Sequence, residues 1–364
     1  MTTSAKIIVV TGANGLIGSH LCEAFAAAGW EVRAIDRPGA ECAAAKAVGA
    51  AVAYVELDKP EGALFAAEVA KGAAIVAHAA FPGADLPEAA VASVRAACAA
   101  ALSASAPLLL LSSCTVYGRP RSLPCDEGEI KAPVDAHGRT RWAVEREAVL
   151  WRRKRGLKLV VLRPALTYGP RQRRGLTAAL GLIALAAREG RPVWLPRRGP
   201  VVHTVHAADV AQAALLVAEH GATLDGRAFN VADDVPLPLE ELGRAVLTAA
   251  GAREAGRVPY AHAPARAFLW FLRRLPAWML WRPLNRRLAR AWMRAWEGQP
   301  PMKAPVLEPE LLEQLASDRY FDTGRLRALG FVPRFPSAIE GLQRLALESR
   351  TRGLLPAPRE EQRS

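Results

Sequence analysis

Residues 6–36 read KIIVVTGANGLIGSHLCEAFAAAGWEVRAID, and the order of residue types in this stretch decides the fold. Ile7 to Val10 form a short β-branched apolar run, as a buried parallel strand requires. A glycine turn follows, then SHLCEAFAAAG with helical apolar spacing, then EVRAID, a second strand that ends on Asp36. In that order the glycines have separate tasks. Gly12 allows the tight turn, Gly15 lets the backbone approach a pyrophosphate, and Gly18 lets the helix pack closely on the sheet. Backbone amides around Asn14, Leu16 and Ile17, at the start of the helix, then face the phosphates, where the helix dipole favours negative charge. Asp36, 18 residues after the last glycine, is placed to accept hydrogen bonds from the adenosine ribose hydroxyls. A 2′-phosphate would meet a like charge there, so NAD is expected over NADP. Arg37 pulls the other way, since it can partner a phosphate or stack on adenine.

The alternation continues. AVAYVELD (51–58), AAIVAHAA (73–80), PLLLLSS (107–113) and LKLVVLRPA (157–165) are further strand candidates, separated by alanine-rich helical stretches. Such βαβ repetition predicts an α/β fold, a Rossmann-type doubly wound parallel sheet with a smaller C-terminal substrate domain. The expected division is a dinucleotide-binding core over 1–170, a mixed region over 171–348 that completes the sheet and forms the substrate domain, and a mobile tail over 349–364. Ligands of such sheets bind outside the carboxyl ends of the strands, where AHAA, SSCTVYG and RPALTYGP fall.

Composition narrows the class. Of 364 residues, 51% are hydrophobic and 23% charged, a globular balance that excludes a disordered chain. The net charge of +13 suits an anionic partner, although arginine-rich usage can also follow from genomic bias. Five scattered cysteines without CxxC or zinc spacing point to reduced thiols, a cytoplasmic setting and no metal site. The apolar N-terminal run breaks into glycines too early for a signal peptide. No run reaches the ~18 uncharged apolar residues of a membrane span.

With the glycine pattern, Asp36, Asp58, HAA at 78–80, SSCTVYG at 112–118, LRPALTYGP at 162–170, HAADVAQA at 206–213 and FNVADD at 228–233, the chain resembles the extended short-chain dehydrogenase/reductase family, also called NAD-dependent epimerase/dehydratases. The resemblance runs from about residue 6 to 345, closing on YFDTGRLRALGFVPRFPSAIEGLQR (320–344). It implies an NAD(P)-binding enzyme with a Ser/Thr, Tyr, Lys catalytic set. Ser113 matches the catalytic Ser/Thr, Asp58 the acid near the adenine, and Ala79 and Ala80 the cofactor loop after the fourth strand.

Two positions depart from the family pattern. In PVDAHGRTRWAVE, aligned on Pro133, Gly138 and Glu145, His137 stands where the tyrosine of YxxxK belongs and Arg141 where the lysine belongs. In VASVRAACAA, Ser93 stands where the family commonly shows Asn. Taken alone, His137 and Arg141 are one helical turn apart and could belong to a solvated ladder in which Arg141 pairs with Glu145. In the family's frame they face the nicotinamide. Histidine titrates near neutrality and can exchange a proton, and a neighbouring guanidinium favours its neutral form. Arg141 can hold ribose hydroxyls through its fork but relays no proton. Three readings stay open: His137 replaces the tyrosine with Ser113 polarising a carbonyl, Tyr117 or Tyr168 supplies the proton, or catalysis is lost and a dinucleotide-binding scaffold remains.

Residues 265–296, ARAFLWFLRRLPAWMLWRPLNRRLARAWMRAW, hold five of the nine tryptophans and eight arginines, and no acid falls between Glu254 and Glu297. Pro276 and Pro283 are expected to break the stretch into short helices. It suits the headgroup zone of an anionic bilayer, or a lid over an apolar substrate, or a helix whose apolar face is buried in the substrate domain. No nucleic-acid module accompanies it. The sequence-level expectation is an NAD-dependent oxidoreductase of an alcohol/ketone pair on an apolar, sterol-like or other lipid substrate. Its alternative is a nucleotide-sugar epimerase or dehydratase with recycled NAD. The partners expected are the small-molecule substrate, an anionic membrane touched peripherally, and a second copy of the chain as a homodimer.

Overall fold

Six of the apolar runs form the strands β1 (Ile7–Thr11), β2 (Glu31–Asp36), β3 (Ala51–Tyr54), β4 (Ile75–His78), β5 (Leu108–Leu111) and β6 (Leu159–Pro164). A seventh strand, Ala228–Val231, joins them in one parallel sheet of order Ala228–Val231, β6, β5, β4, β1, β2, β3. The chain is described as a computed structural model over residues 5–261, 279–298, 300 and 302–356, with positions 264, 267, 271, 272 and 275. Helices α1 (Leu16–Ala27), α2 (Ala43–Ala47), α3 (Pro60–Val69), α4 (Pro87–Ser103) and α5 (Ala136–Arg155) connect the strands. Packing of α3 on α4 and of α4 on α5 covers one face, and α1 packs with the helix Ala207–His220.

β4 and β5 are buried at every position, which accounts for their apolar sequence, broken only by His78 at the end of β4. On the α3–α5 face the core joins Val9, Val76, Leu108 and Leu110 to Val94, Ala97, Ala101, Val144 and Ala148. Alanines along α4 leave room for that helix to lie close to its neighbours. Strand order reverses between β1 and β4, and the crevice outside their carboxyl ends is where such sheets bind ligands.

The chain divides into two units: Met1–Ala165 with Ala207–Ala232 and Phe321–Arg334, and Leu166–His206 with Asp233–Tyr320 and Phe335–Ser364. The first holds the whole seven-stranded sheet. The second has three two-stranded sheets and its own core, built on Tyr168, Leu176, Leu180, Leu242, Val246, Trp292, Leu342 and Leu345. Within it the helix Trp281–Ala295 sends Trp292 inward, 1% exposed, with its indole nitrogen donating to the Met302 carbonyl at 3.1 Å. Pro283 does not break this helix. It lies in the first turn, where a missing N–H costs nothing. Pro276 and much of 265–278 lie outside the described residues. The helix Ala338–Thr351 runs into the segment expected as the tail, and Leu355 is buried in the second core; 357–364 lie outside the described residues.

One charged residue sits inside the otherwise apolar β6. Arg163 forms a two-point ion pair with Glu145 of α5, and the two side chains are 5% and 3% exposed. Ser112 also donates to Glu145, at 2.9 Å, and Arg163 donates to the Tyr117 hydroxyl at 2.9 Å. Removing one partner of such a pair strands a buried charge. Glu145→Ala is therefore expected to lower the unfolding free energy by about 3–5 kcal/mol, measured by urea denaturation; a loss below about 1 kcal/mol would place the pair among ordinary surface bridges.

Candidate active site

The glycine turn after β1 is held by backbone. Gly12 has φ of +71° and donates to the Ile35 carbonyl at 2.8 Å, and a Cβ on it would lie 2.5 Å from Ala80 Cα. At Gly18 the missing side chain makes room for the Gly12 carbonyl, just past the end of β1, which a Cβ would meet at 2.0 Å, so the helix lies close against the turn that leads out of the sheet. Gly15, at the N-cap of α1, is exposed, and a Cβ there would meet only the Gly12 carbonyl. No side chain caps α1 and no acid stands in its first turn. These uncapped amides beside Leu16 and Ile17 form a cradle fitted to phosphate oxygens.

Asp36 ends β2 beside this turn. One carboxylate oxygen accepts from the Asn14 amide at 2.7 Å and the other from the Arg37 amide at 2.8 Å, while Asn14 Oδ1 accepts from the Cys42 amide at 3.0 Å. Each oxygen keeps a further lone pair for a ribose hydroxyl. The Arg37 side chain is exposed, and Asp58 lies half-buried between β3 and α3. Ala79 donates to the Thr11 carbonyl at 3.1 Å, which sets the loop of Ala79 and Ala80 directly over Gly12.

The chemical end of the site starts where β5 stops. Ser113 caps a short 3-10 helix, Cys114–Tyr117, and its Oγ accepts from the Thr115 amide at 3.2 Å and the Thr115 hydroxyl at 3.0 Å. With both acceptor sites filled, its own proton is left to donate outward. α5 begins at the N-cap Asp135, whose carboxylate accepts from the Gly138 amide at 2.6 Å. Gly138 lets this first turn rest on the Thr115 carbonyl, 2.6 Å from where a Cβ would sit. His137 and Arg141 are thereby fixed beside the segment that carries Ser113.

Both side chains turn to Phe81, which the sequence reading passed over although it directly follows HAA. The Phe81 and His137 rings lie 5.0 Å apart, edge to face, and the Arg141 guanidinium stands 3.9 Å above the Phe81 ring. Arg141 also donates to the Leu111 carbonyl at 2.9 Å. Its Nε is buried without a partner, and burial pushes its pKa down to about 10. The ladder that Arg141 and Glu145 could form taken alone is absent, because Arg163 and Ser112 occupy Glu145. One arm of the Arg141 fork is thus committed to the protein.

The buried His78, at the end of β4, pairs Nδ1 with the Thr11 hydroxyl at 2.8 Å, and its Nε2 has no partner. Burial, helped by the charge on Arg141, pushes its pKa down to about 3. Tyr117 is buried, donates to Asn230 at 2.7 Å, and has its pKa raised by burial. It braces the sheet. Tyr168 belongs to the second unit, where its ring packs 5.3 Å from His206 and a Cβ on Gly341 would collide with its hydroxyl. Ser93 is buried within α4.

A parallel sheet with its dinucleotide cradle at the strand-order reversal defines a nucleotide-binding α/β enzyme. The chain belongs to the NAD-dependent epimerase/dehydratase family, whose description it matches over residues 8–232. NAD is the cofactor that this membership carries, and the cradle fits it. Among known proteins the chain is similar to a UDP-glucose 4-epimerase of Rhizobium meliloti (strain 1021), 40% identical over 52 residues, or 14% of this chain and 16% of that one. In fold it is similar to a dTDP-glucose 4,6-dehydratase from Bacillus anthracis str. Ames in complex with NAD, at 15% identity and TM-score 0.71 over 96% of this chain and 99% of that one. It is also similar to a UDP-glucose 4-epimerase with UDP-glucose from Thermotoga maritima, at 19% identity and TM-score 0.68 over 95% and 99%.

Two outcomes are expected. Gly18→Ala should abolish NAD binding measured by calorimetry, since the turn cannot close around a methyl group; retained affinity would contradict the cradle. For His78, the folded pKa of about 3 lies below the ~6.5 of an unfolded histidine. The unfolded chain therefore takes up a proton that the folded one does not, and stability falls as pH drops through that window. The slope from this group approaches ~1.4 kcal/mol per pH unit, and it should be missing from the pH dependence of His78→Asn.

Proposed function

We propose that the protein is a nucleotide-sugar epimerase or dehydratase that retains and recycles NAD, with His137 exchanging the substrate proton in place of tyrosine. The observation that carries this is the joint seating of His137 and Arg141 on Phe81. It holds the imidazole on the first turn of α5, beside the Ser113 segment, and not in a solvated ladder.

Bound NAD supplies a hydride acceptor and donor. Ser113 donates a hydrogen bond to the substrate oxygen and orients it. His137 takes the hydroxyl proton as the carbon is oxidised, and returns it when the carbonyl is reduced again. Asp36 accepts from the adenosine ribose, and its negative charge disfavours a 2′-phosphate. Arg141, tied to Leu111 and Phe81, contributes a fixed positive charge, and its hydrogen bond to Leu111 leaves the rest of its donor fork uncommitted.

The sugar nucleotide held by a protein of similar fold, UDP-glucose, supports a nucleotide sugar over the apolar substrate expected from composition. That expectation rested on the tryptophans of 265–296. Trp281 and Trp292 are instead buried in the protein.

On a panel of UDP- and dTDP-sugars, His137→Ala should lower turnover by about 10²–10⁴-fold with NAD affinity unchanged. Unchanged turnover would remove His137 from the chemistry. Absence of turnover by the wild-type chain on every sugar would favour the scaffold reading.

A further inference from the structure

The helix Trp281–Ala295 carries five arginines, and all five are exposed: Arg282, Arg286, Arg287, Arg290 and Arg294. At 3.6 residues per turn they share an arc of about 140°. Arg282/Arg286, Arg286/Arg290 and Arg290/Arg294 are like-charged neighbours one turn apart, an arrangement that destabilises a helix on its own. Among the described residues none of the five pairs with a carboxylate, and the sequence offers no acid between Glu254 and Glu297. The opposite face is already used, since Trp292 lies in the core of its unit and Asn285 exchanges hydrogen bonds with Leu307 at 2.9 and 3.0 Å. The cationic face is therefore held rigid and outward, with a charge repulsion that nothing described in the chain relieves.

We infer that this face docks the protein on an anionic lipid bilayer. Met293 lies within the same arc and is 43% exposed, and Met279, just before the helix, is 50% exposed. Methyl thioethers among cations suit a headgroup region, where arginine stems and methionines lie against its less polar parts while guanidinium groups pair with phosphate. A nucleic-acid backbone would give those methionines nothing. Because the tryptophan face is taken by the protein's own core, the helix rests on the membrane by charge and does not insert. Contact of this kind is released by salt.

The test is flotation of the full chain with vesicles of phosphatidylcholine alone or with about 30 mol% phosphatidylserine. The protein should float only with the anionic vesicles, and about 0.5 M salt should release it. Arg286→Gln, Arg287→Gln and Arg290→Gln together should weaken binding by about 100-fold, with the thermal midpoint and NAD affinity kept. A control removes equal charge elsewhere, at the exposed Arg146, Arg153 and Lys154 of α5, and should keep most of the binding. Equal loss in the control would reduce the effect to net charge and overturn the proposal. So would failure to float at low salt, or duplex DNA binding by this face without flotation.

Discussion

The arrangement of the active site depends on one buried ion pair. Glu145 of α5 is bound at two points by Arg163 of β6, with Ser112 as a third partner. The pair fixes both the distance of α5 from the sheet and its rotation about its own axis. It also decides what Arg141 does. Four residues before Glu145 on the same helix, Arg141 would ordinarily share its charge with that carboxylate. Denied it, the guanidinium finds the Leu111 carbonyl and the face of Phe81. His137, a turn earlier, meets the edge of the same ring. A structural ion pair thus sets a chemical cluster that contains neither of its members.

The two ends of the site are built from different materials. Backbone does the work at the cofactor cradle: the Gly12 carbonyl fills the place of a Gly18 side chain, and Asp36 is tied to the amides of Asn14 and Arg37. Such a site depends on small residues at a few positions and tolerates wide change elsewhere. At the other end side chains do the work, in the cluster that His137 and Arg141 form with one ring. Phe81 supplies the support that both require.

Much of this was legible in the sequence. β2 runs from Glu31 to Asp36 as its residues predict, because a short segment closed by an acid, after a β-branched strand, a glycine turn and a helix, has few other solutions. The helix that carries His137 and Arg141 runs from Ala136 to Arg155, and Ser113 caps the short turn after β5. What stayed hidden were the partners distant in sequence. Nothing local joins Arg163 to Glu145, although an arginine inside LVVLRP was itself a sign that a buried acid must exist. Phe81 was missed because a lone aromatic after a small-residue loop carries no period. The tryptophans of 265–296 were visible, but not the direction they face, since an amphipathic pattern is the same for a helix on lipid and a helix on its own core.

The account rests on a dinucleotide that stays with the protein and is chosen by Asp36. The direct measurement is to denature the purified chain and to identify and quantify the released nucleotide by mass spectrometry. The account predicts NAD at close to one equivalent per chain, with no NADP. Protein that releases no dinucleotide, and takes up neither NAD nor NADP when incubated with them, would contradict it.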